Sequence, residues 1–150
     1  MTQNRILIPD DLNETLLANW RHGEDNRRTI SHDPLPVLHL TMQLGSAEWL
    51  ITERSPDEPD ILFGLADLGL GFPELGYVSL SELETVRLNG VFRVVREKDF
   101  TPTFPLSVYA QAARMNAGIT HDEKTLLQGK AVLDAERKSA RRAERNARRS

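Results

Sequence analysis

Apolar positions along this chain follow a helical period at both ends and a strand period in the middle. From Pro9, PDDLNETLLANWRHG spaces Leu12, Leu16, Leu17 and Trp20 at helical intervals. Asp10 and Asp11 stand in its first turn, where the helix dipole favours acids, and Gly23 is the expected stop. The polar stretch 24–36, with Arg27, Arg28, Asp33 and two prolines, has no period and reads as an exposed connection. Val37, Leu38, Leu40 and Met42, ended by Gly45, and then Trp49, Leu50, Ile51 and Thr52, predict a hairpin. The turn SPDEPD follows, since proline fixes φ and aspartate bonds its own backbone. Residues 61–67 form a third strand, Gly69, Gly71, Pro73 and Gly76 a loop, and Leu75, Tyr77 and Val78 a fourth strand at its exit.

Ser79 and Glu82 fit a capping box, in which hydroxyl and carboxylate each satisfy a helix-end donor at about 1 kcal/mol. Leu80, Leu83 and Val86 give that short helix an expected buried stripe. Residues 91–95 read as a last strand and 100–105 as an extended, proline-bearing crossing. Ser107 is expected to cap a helix through Val108, Tyr109, Ala112, Ala113 and Met115, stopped by Gly118. Thr120 with Glu123 makes a second capping box that opens a final helix. Its only large apolar residues are Leu126, Leu127, Val132 and Leu133, so the chain beyond Leu133 is expected to project into solvent. The pattern predicts an α+β fold: a small, mostly antiparallel sheet over about residues 37–95, an N-terminal helix, one inserted helix and two C-terminal helices. Residues 1–120 are expected to form a single domain, and 121–150 a C-terminal helix ending in a basic, exposed tail.

Composition narrows the function classes. A chain of 150 residues is about one domain and buries enough surface to fold without staples. With no cysteine it has no disulfide, thiolate metal site or thiol nucleophile. No apolar run reaches the roughly 18 residues of a membrane span, and MTQNRILIPDD lacks the regions of a secretory signal, which predicts a cytoplasmic protein with no membrane partner. The formal charge of -3 hides a division: residues 1–136 carry 12 Lys/Arg against 21 Asp/Glu, net -9, and residues 137–150 carry seven against one, net +6. Such asymmetry suggests a nucleic-acid arm, or a tail that neutralises an acidic body.

The words LIPDDLNETLLAN, WLITERSPDEPDILFGLADLGLG and PELGYVSLSELE, followed by DFTPTFPLSVYAQAA, resemble the bacterial family called domain of unknown function 2958. The resemblance covers roughly residues 7–118, with PELGYVSLSELE its most specific word. It implies a small cytoplasmic protein of the kind often encoded on plasmids and integrative elements, and it brings no catalytic residues to carry over. The basic tail lies outside it.

Candidate chemistry is sparse. GLGFPELG departs from a dinucleotide fingerprint, with Glu74 at the third glycine position and a strand rather than a helix after it, so it reads as a turn. Glu53, Asp57, Glu58 and Asp60 gather four carboxylates within eight residues, but not at calcium-loop spacing. Flanked by Trp49 and Phe63, the same residues are a candidate protein-binding patch. His22, His32, His39 and His121 lie in separate elements without an i, i+4 pair, and no G-x-S-x-G elbow exists, so no catalytic residue, metal or cofactor is expected. The tail sets Arg137, Arg141, Arg145 and Arg149 four residues apart, with Lys138, Arg142 and Arg148 beside them. Like charges at that spacing cost about 0.2–0.5 kcal/mol per pair, which an anionic partner would relieve. With no aromatic between them, phosphate contact rather than base stacking is the matching chemistry. The expected function is a non-enzymatic interaction or accessory protein of a mobile genetic element, whose acidic body contacts a protein partner. The alternative is an auxiliary nucleic-acid binder acting through the basic helix; a third idea is a mimic of phosphate charge at a partner's DNA site.

Overall fold

The computed structural model describes residues 7–26 and 28–149. Its elements run α1 (Asp10–Asp25), β1 (Leu38–Met42), β2 (Glu48–Arg54), β3 (Ile61–Asp67), β4 (Glu74–Ser79), α2 (Leu80–Thr85), β5 (Val94–Arg96), α3 (Leu106–Asn116) and α4 (Glu123–Arg149). The protein is α+β: all strands join one antiparallel sheet in the order β4-β3-β2-β1-β5. Among the described residues no helix is long and apolar enough to cross a membrane.

Successive strand residues point to opposite faces, and both faces are covered. Leu38, Leu40, Met42, Trp49, Ile51 and Leu62 form one core cluster with Leu16 of α1 and Leu83 of α2. Leu50 and Leu65, on the other face, pack against Leu106, Tyr109, Ala112 and Ala113 of α3 and Leu126 of α4. The central strand β2 is therefore buried on both sides, which leaves Thr52 and Glu53 inside with the apolar residues. Helix α4 approaches α3 closely because Gly129 has no side chain; a Cβ there would lie 3.0 Å from the Ala112 nitrogen and 3.1 Å from its Cβ.

Several boundaries differ from expectation. Helix α1 passes through Gly23 to Asp25, and the following segment is not simply exposed, since Pro36 is buried and His32 and Asp33 are half-buried. Arg27 lies outside the described residues. The last strand is Val94–Arg96, and Val91 is exposed in the turn before it. Val86 is also exposed, so only Leu83 of the short helix is fully buried. Pro105, not Ser107, occupies the cap position of α3; the Ser107 N–H and hydroxyl instead donate to Asp33 from inside the first turn. The left-handed residue that ends α3 is Ala117, at φ 56°, one position before Gly118. Asp122 rather than Thr120 caps α4, its Oδ2 accepting from the Thr125 N–H at 3.0 Å and hydroxyl at 2.7 Å. A carboxylate accepts more strongly than a hydroxyl at a helix start, which favours the aspartate.

At α2 the expected Ser79 cap forms, its Oγ accepting from the Glu82 N–H at 3.2 Å. Asp60 reinforces it from the β2–β3 turn, taking hydrogen bonds from the Ser79 hydroxyl at 2.6 Å, the Ser81 N–H at 2.8 Å and the Ser81 hydroxyl at 3.1 Å. The Ser79 bond, then the Ser81 backbone, hold this carboxyl below its ordinary 3.8. A depressed folded pKa contributes stability that is complete above the ordinary value and is lost as pH falls through the folded one. Asp60→Asn is expected to lower the urea midpoint at neutral pH, and the gap to the wild type to close as pH drops below 3.8. At the α3–α4 contact, Gly129→Leu is expected to cost about 1–3 kcal/mol through overpacking, read from urea unfolding.

Candidate functional site

Strands β1 and β2 commit Leu38, Leu40, Trp49 and Ile51 to one core, so His39 and Glu48 emerge on the opposite face, beside Leu50. The register pairs Thr41 with Glu48 and His39 with Leu50, which makes His39 and Glu48 diagonal neighbours. The loop from α3 to α4 brings a third side chain to this place. It is fixed at one end by the Ile119 N–H donating to Asp67 Oδ2 at 2.9 Å and at the other by the Asp122 cap. Between them His121 reaches the sheet. Glu48 Oε2 lies 2.5 Å from Nε2 of His39 and 2.5 Å from Nε2 of His121. The imidazole centroids are 4.5 Å apart, with Phe100 5.1 Å from the His39 ring and Tyr109 6.1 Å from the His121 ring.

Burial pushes the Glu48 carboxyl up, but the hydrogen bonds to His121 and His39, with the electrostatic attraction of the two rings, outweigh it and lower the carboxyl to about 2. Glu48 is thus an anion at neutral pH whose charge is shared by two imidazoles. A groove of about 340 Å³ opens alongside, lined by His39, Asp99, Phe100, Tyr109 and His121 among others. Two imidazoles and a carboxylate converging beside an open groove form a donor set that suits a divalent metal. The separate histidines of the sequence hid this arrangement, because His121 stands 73 residues from Glu48 and only the loop geometry joins them. The signal within reach was narrower: a β1–β2 hairpin with a tight register already brings His39 toward Glu48.

The other two histidines serve a buried carboxylate. Glu53 is 1% exposed, and Arg28 Nη1 donates to its Oε1 at 2.7 Å while His32 Nε2 lies 3.1 Å from its Oε2. Gly23 makes room, for a Cβ there would stand 2.7 Å from His32 Nε2. Arg28 turns in at φ 52°, its guanidinium 4.5 Å from the Trp20 ring centroid. Across the His32 ring from Glu53, His32 Nδ1 meets His22 Nδ1 at 2.9 Å.

The six residues of the expected protein-binding patch are divided rather than brought together. Trp49 and Glu53 are buried, Phe63 is half-buried and 5.4 Å from the Tyr77 ring, Asp60 is bound to the α2 cap, and Asp57 and Glu58 remain on the exposed turn. The exposed apolar surface lies elsewhere, at Leu68, Leu70 and Phe72 of the β3–β4 loop and at Leu75 and Tyr77 of β4. Among the described residues β4 is an edge strand, its outer side facing no further strand of the sheet. An apolar groove of about 740 Å³ runs beside it, between Tyr77 and Leu83.

The basic residues do share one surface. Every residue from Lys138 to Arg149 is exposed, and Arg137, at the root, lies 3.8 Å from Asp33. At about 100° per residue, Arg137, Lys138, Arg141, Arg142, Arg145, Arg148 and Arg149 fall within an arc of about 140°. Ser139, Ala140, Ala143 and Ala147 occupy the opposite side.

The profile of the family described as "Protein of unknown function (DUF2958)" matches residues 7–120. The chain belongs to this family. The match spans α1 to α3 and includes His39 and Glu48; His121 and all of α4 lie beyond its end. No curated protein and no solved structure matches the chain.

Removing one partner of a buried ion pair costs about 3–5 kcal/mol. Arg28→Ala is expected at the lower end of that range, because Arg28 is itself 30% exposed, and chemical denaturation measures it.

Proposed function

We propose that this protein is an auxiliary nucleic-acid binder that grips phosphates with α4. The observation that carries the reading is the confinement of seven cations to one arc of a helix whose residues from Lys138 to Arg149 are all exposed. Residues 133–149 extend about 24 Å at 1.5 Å per residue, a length and width that a major groove accepts. The opposite, small side chains let the backbone of the helix approach a surface or a second helix without steric cost. A body of net charge -9 repels the same phosphates, so the arm holds nucleic acid away from the sheet and contact is expected at α4 alone. On the family resemblance we place the protein in the cytoplasm, as an accessory of a plasmid or integrative element.

A second reading, docking of a protein partner, is favoured by the exposed Leu68, Leu70 and Phe72 beside the open edge of β4. An extended segment could add a strand there and bury those side chains. That surface takes the role expected of the acidic turn.

The two readings separate in one titration. Fluorescence anisotropy of labelled duplex DNA with the full chain is expected to give an affinity that falls linearly on a logarithmic salt scale. Arg141→Gln, Arg142→Gln and Arg145→Gln together are expected to reduce the slope by about 2–3, at about 0.9 for each phosphate no longer neutralised. Binding that ignores salt, or that the triple variant retains unchanged, removes the nucleic-acid reading.

A further inference from the structure

We infer that His39, Glu48 and His121 bind one divalent transition-metal ion of the zinc or iron(II) class. His39, Glu48 and His121 each offer one ligand atom, and these three atoms lie within 4.8 Å of one another. Both nitrogen–oxygen separations, at 2.5 Å, are shorter than the roughly 2.7–3.2 Å of an ordinary N–H···O hydrogen bond. Donors around a tetrahedral zinc, with bonds of about 2.0–2.1 Å, stand about 3.3 Å apart. Glu48 Oε2 thus sits between the two imidazole nitrogens, nearer to each than neighbouring zinc donors stand, and an ion would take its place among the three as the carboxylate draws back.

Each donor is held by a different element, so the site does not depend on one flexible segment. His39 and Glu48 are set by the β1–β2 register, and His121 by a loop tied to Asp67 and to the α4 cap. Two imidazoles and a single carboxylate suit zinc, cobalt and iron(II), whereas magnesium and calcium prefer an all-oxygen shell. His121 is partly exposed and the groove with Phe100 and Tyr109 opens beside it, so three protein donors leave at least one position facing solvent. That is the coordination of a site where water or a small anion completes the shell, as opposed to a closed structural centre.

The second histidine pair is an internal contrast. His32 meets His22 through Nδ1 and Glu53 through Nε2, on opposite sides of one ring, so its donors do not point to a common centre. The site is also separate from the α4 reading, since none of the seven cations takes part in it.

The test uses the full chain, stripped with EDTA, dialysed, and titrated with zinc chloride by calorimetry and with cobalt chloride by visible absorption. One ion per chain is expected, with the cobalt form showing the ligand-field bands of a four- or five-coordinate site. Glu48→Gln and His121→Ala are each expected to weaken zinc binding by at least about tenfold, and His22→Ala to leave it unchanged. Saturating zinc should raise the melting temperature of the wild type and not that of His121→Ala, whose substitution sits in a loop and leaves the core intact. No uptake by the wild-type chain, or uptake that survives both ligand substitutions, overturns the assignment; in that case the three side chains are a hydrogen-bonded cluster only.

Discussion

A carboxylate taken out of water must find donors or cations, and this fold is arranged around that requirement. β2, buried on both faces, carries two such groups, Glu48 and Glu53. Each draws a pair of side chains from distant parts of the chain: His39 and His121 to one, Arg28 and His32 to the other. The same logic recurs at the sheet margins, where Asp33 holds the start of α3, Asp60 the start of α2, and Asp67 the Gly69 and Ile119 N–H groups. These acids fasten the connections between elements whose bodies pack through the two apolar clusters.

This changes the meaning of the acidic body. Its charge excess looks in the sequence like a surface property, yet Glu53 and Asp67 are buried fasteners. Glu53 in particular stands among residues that resemble a solvated turn, yet it belongs to the strand before it. A register irregularity between Ile51 and Glu53 opposite β3 turns its side chain toward Arg28. A bulge of this kind re-aims side chains without any signature in the hydrophobic pattern.

The sheet was legible because its strands are short apolar runs bounded by glycine, proline and aspartate turns, and β3 covers the residues expected of it. Helix ends were less so. Ser107, Thr120 and Gly118 are all residues that favour ends, but the structure uses Pro105, Asp122 and Ala117, each one or two positions away, because tertiary partners decide which neighbour takes the role. The histidine–glutamate cluster was beyond reach for a different reason. Its members share no local pattern, and their meeting depends on the register of a hairpin and on where a loop lands after α3. The basic face of α4, by contrast, follows from helical spacing alone.

Helix α4 has a mechanical character that its charge does not convey. It lies against the body from Glu123 to Arg137, with Gly129 against Ala112 as its tightest contact and Arg137 3.8 Å from Asp33, and every residue from Lys138 to Arg149 is exposed. The part against the body is about 21 Å long and the exposed part about 18 Å, so nearly half of the helix stands outside. A small change in tilt where the helix leaves the body displaces each residue in proportion to its distance from Arg137, least at Lys138 and most at Arg149. The far tip therefore amplifies whatever small adjustment the base undergoes.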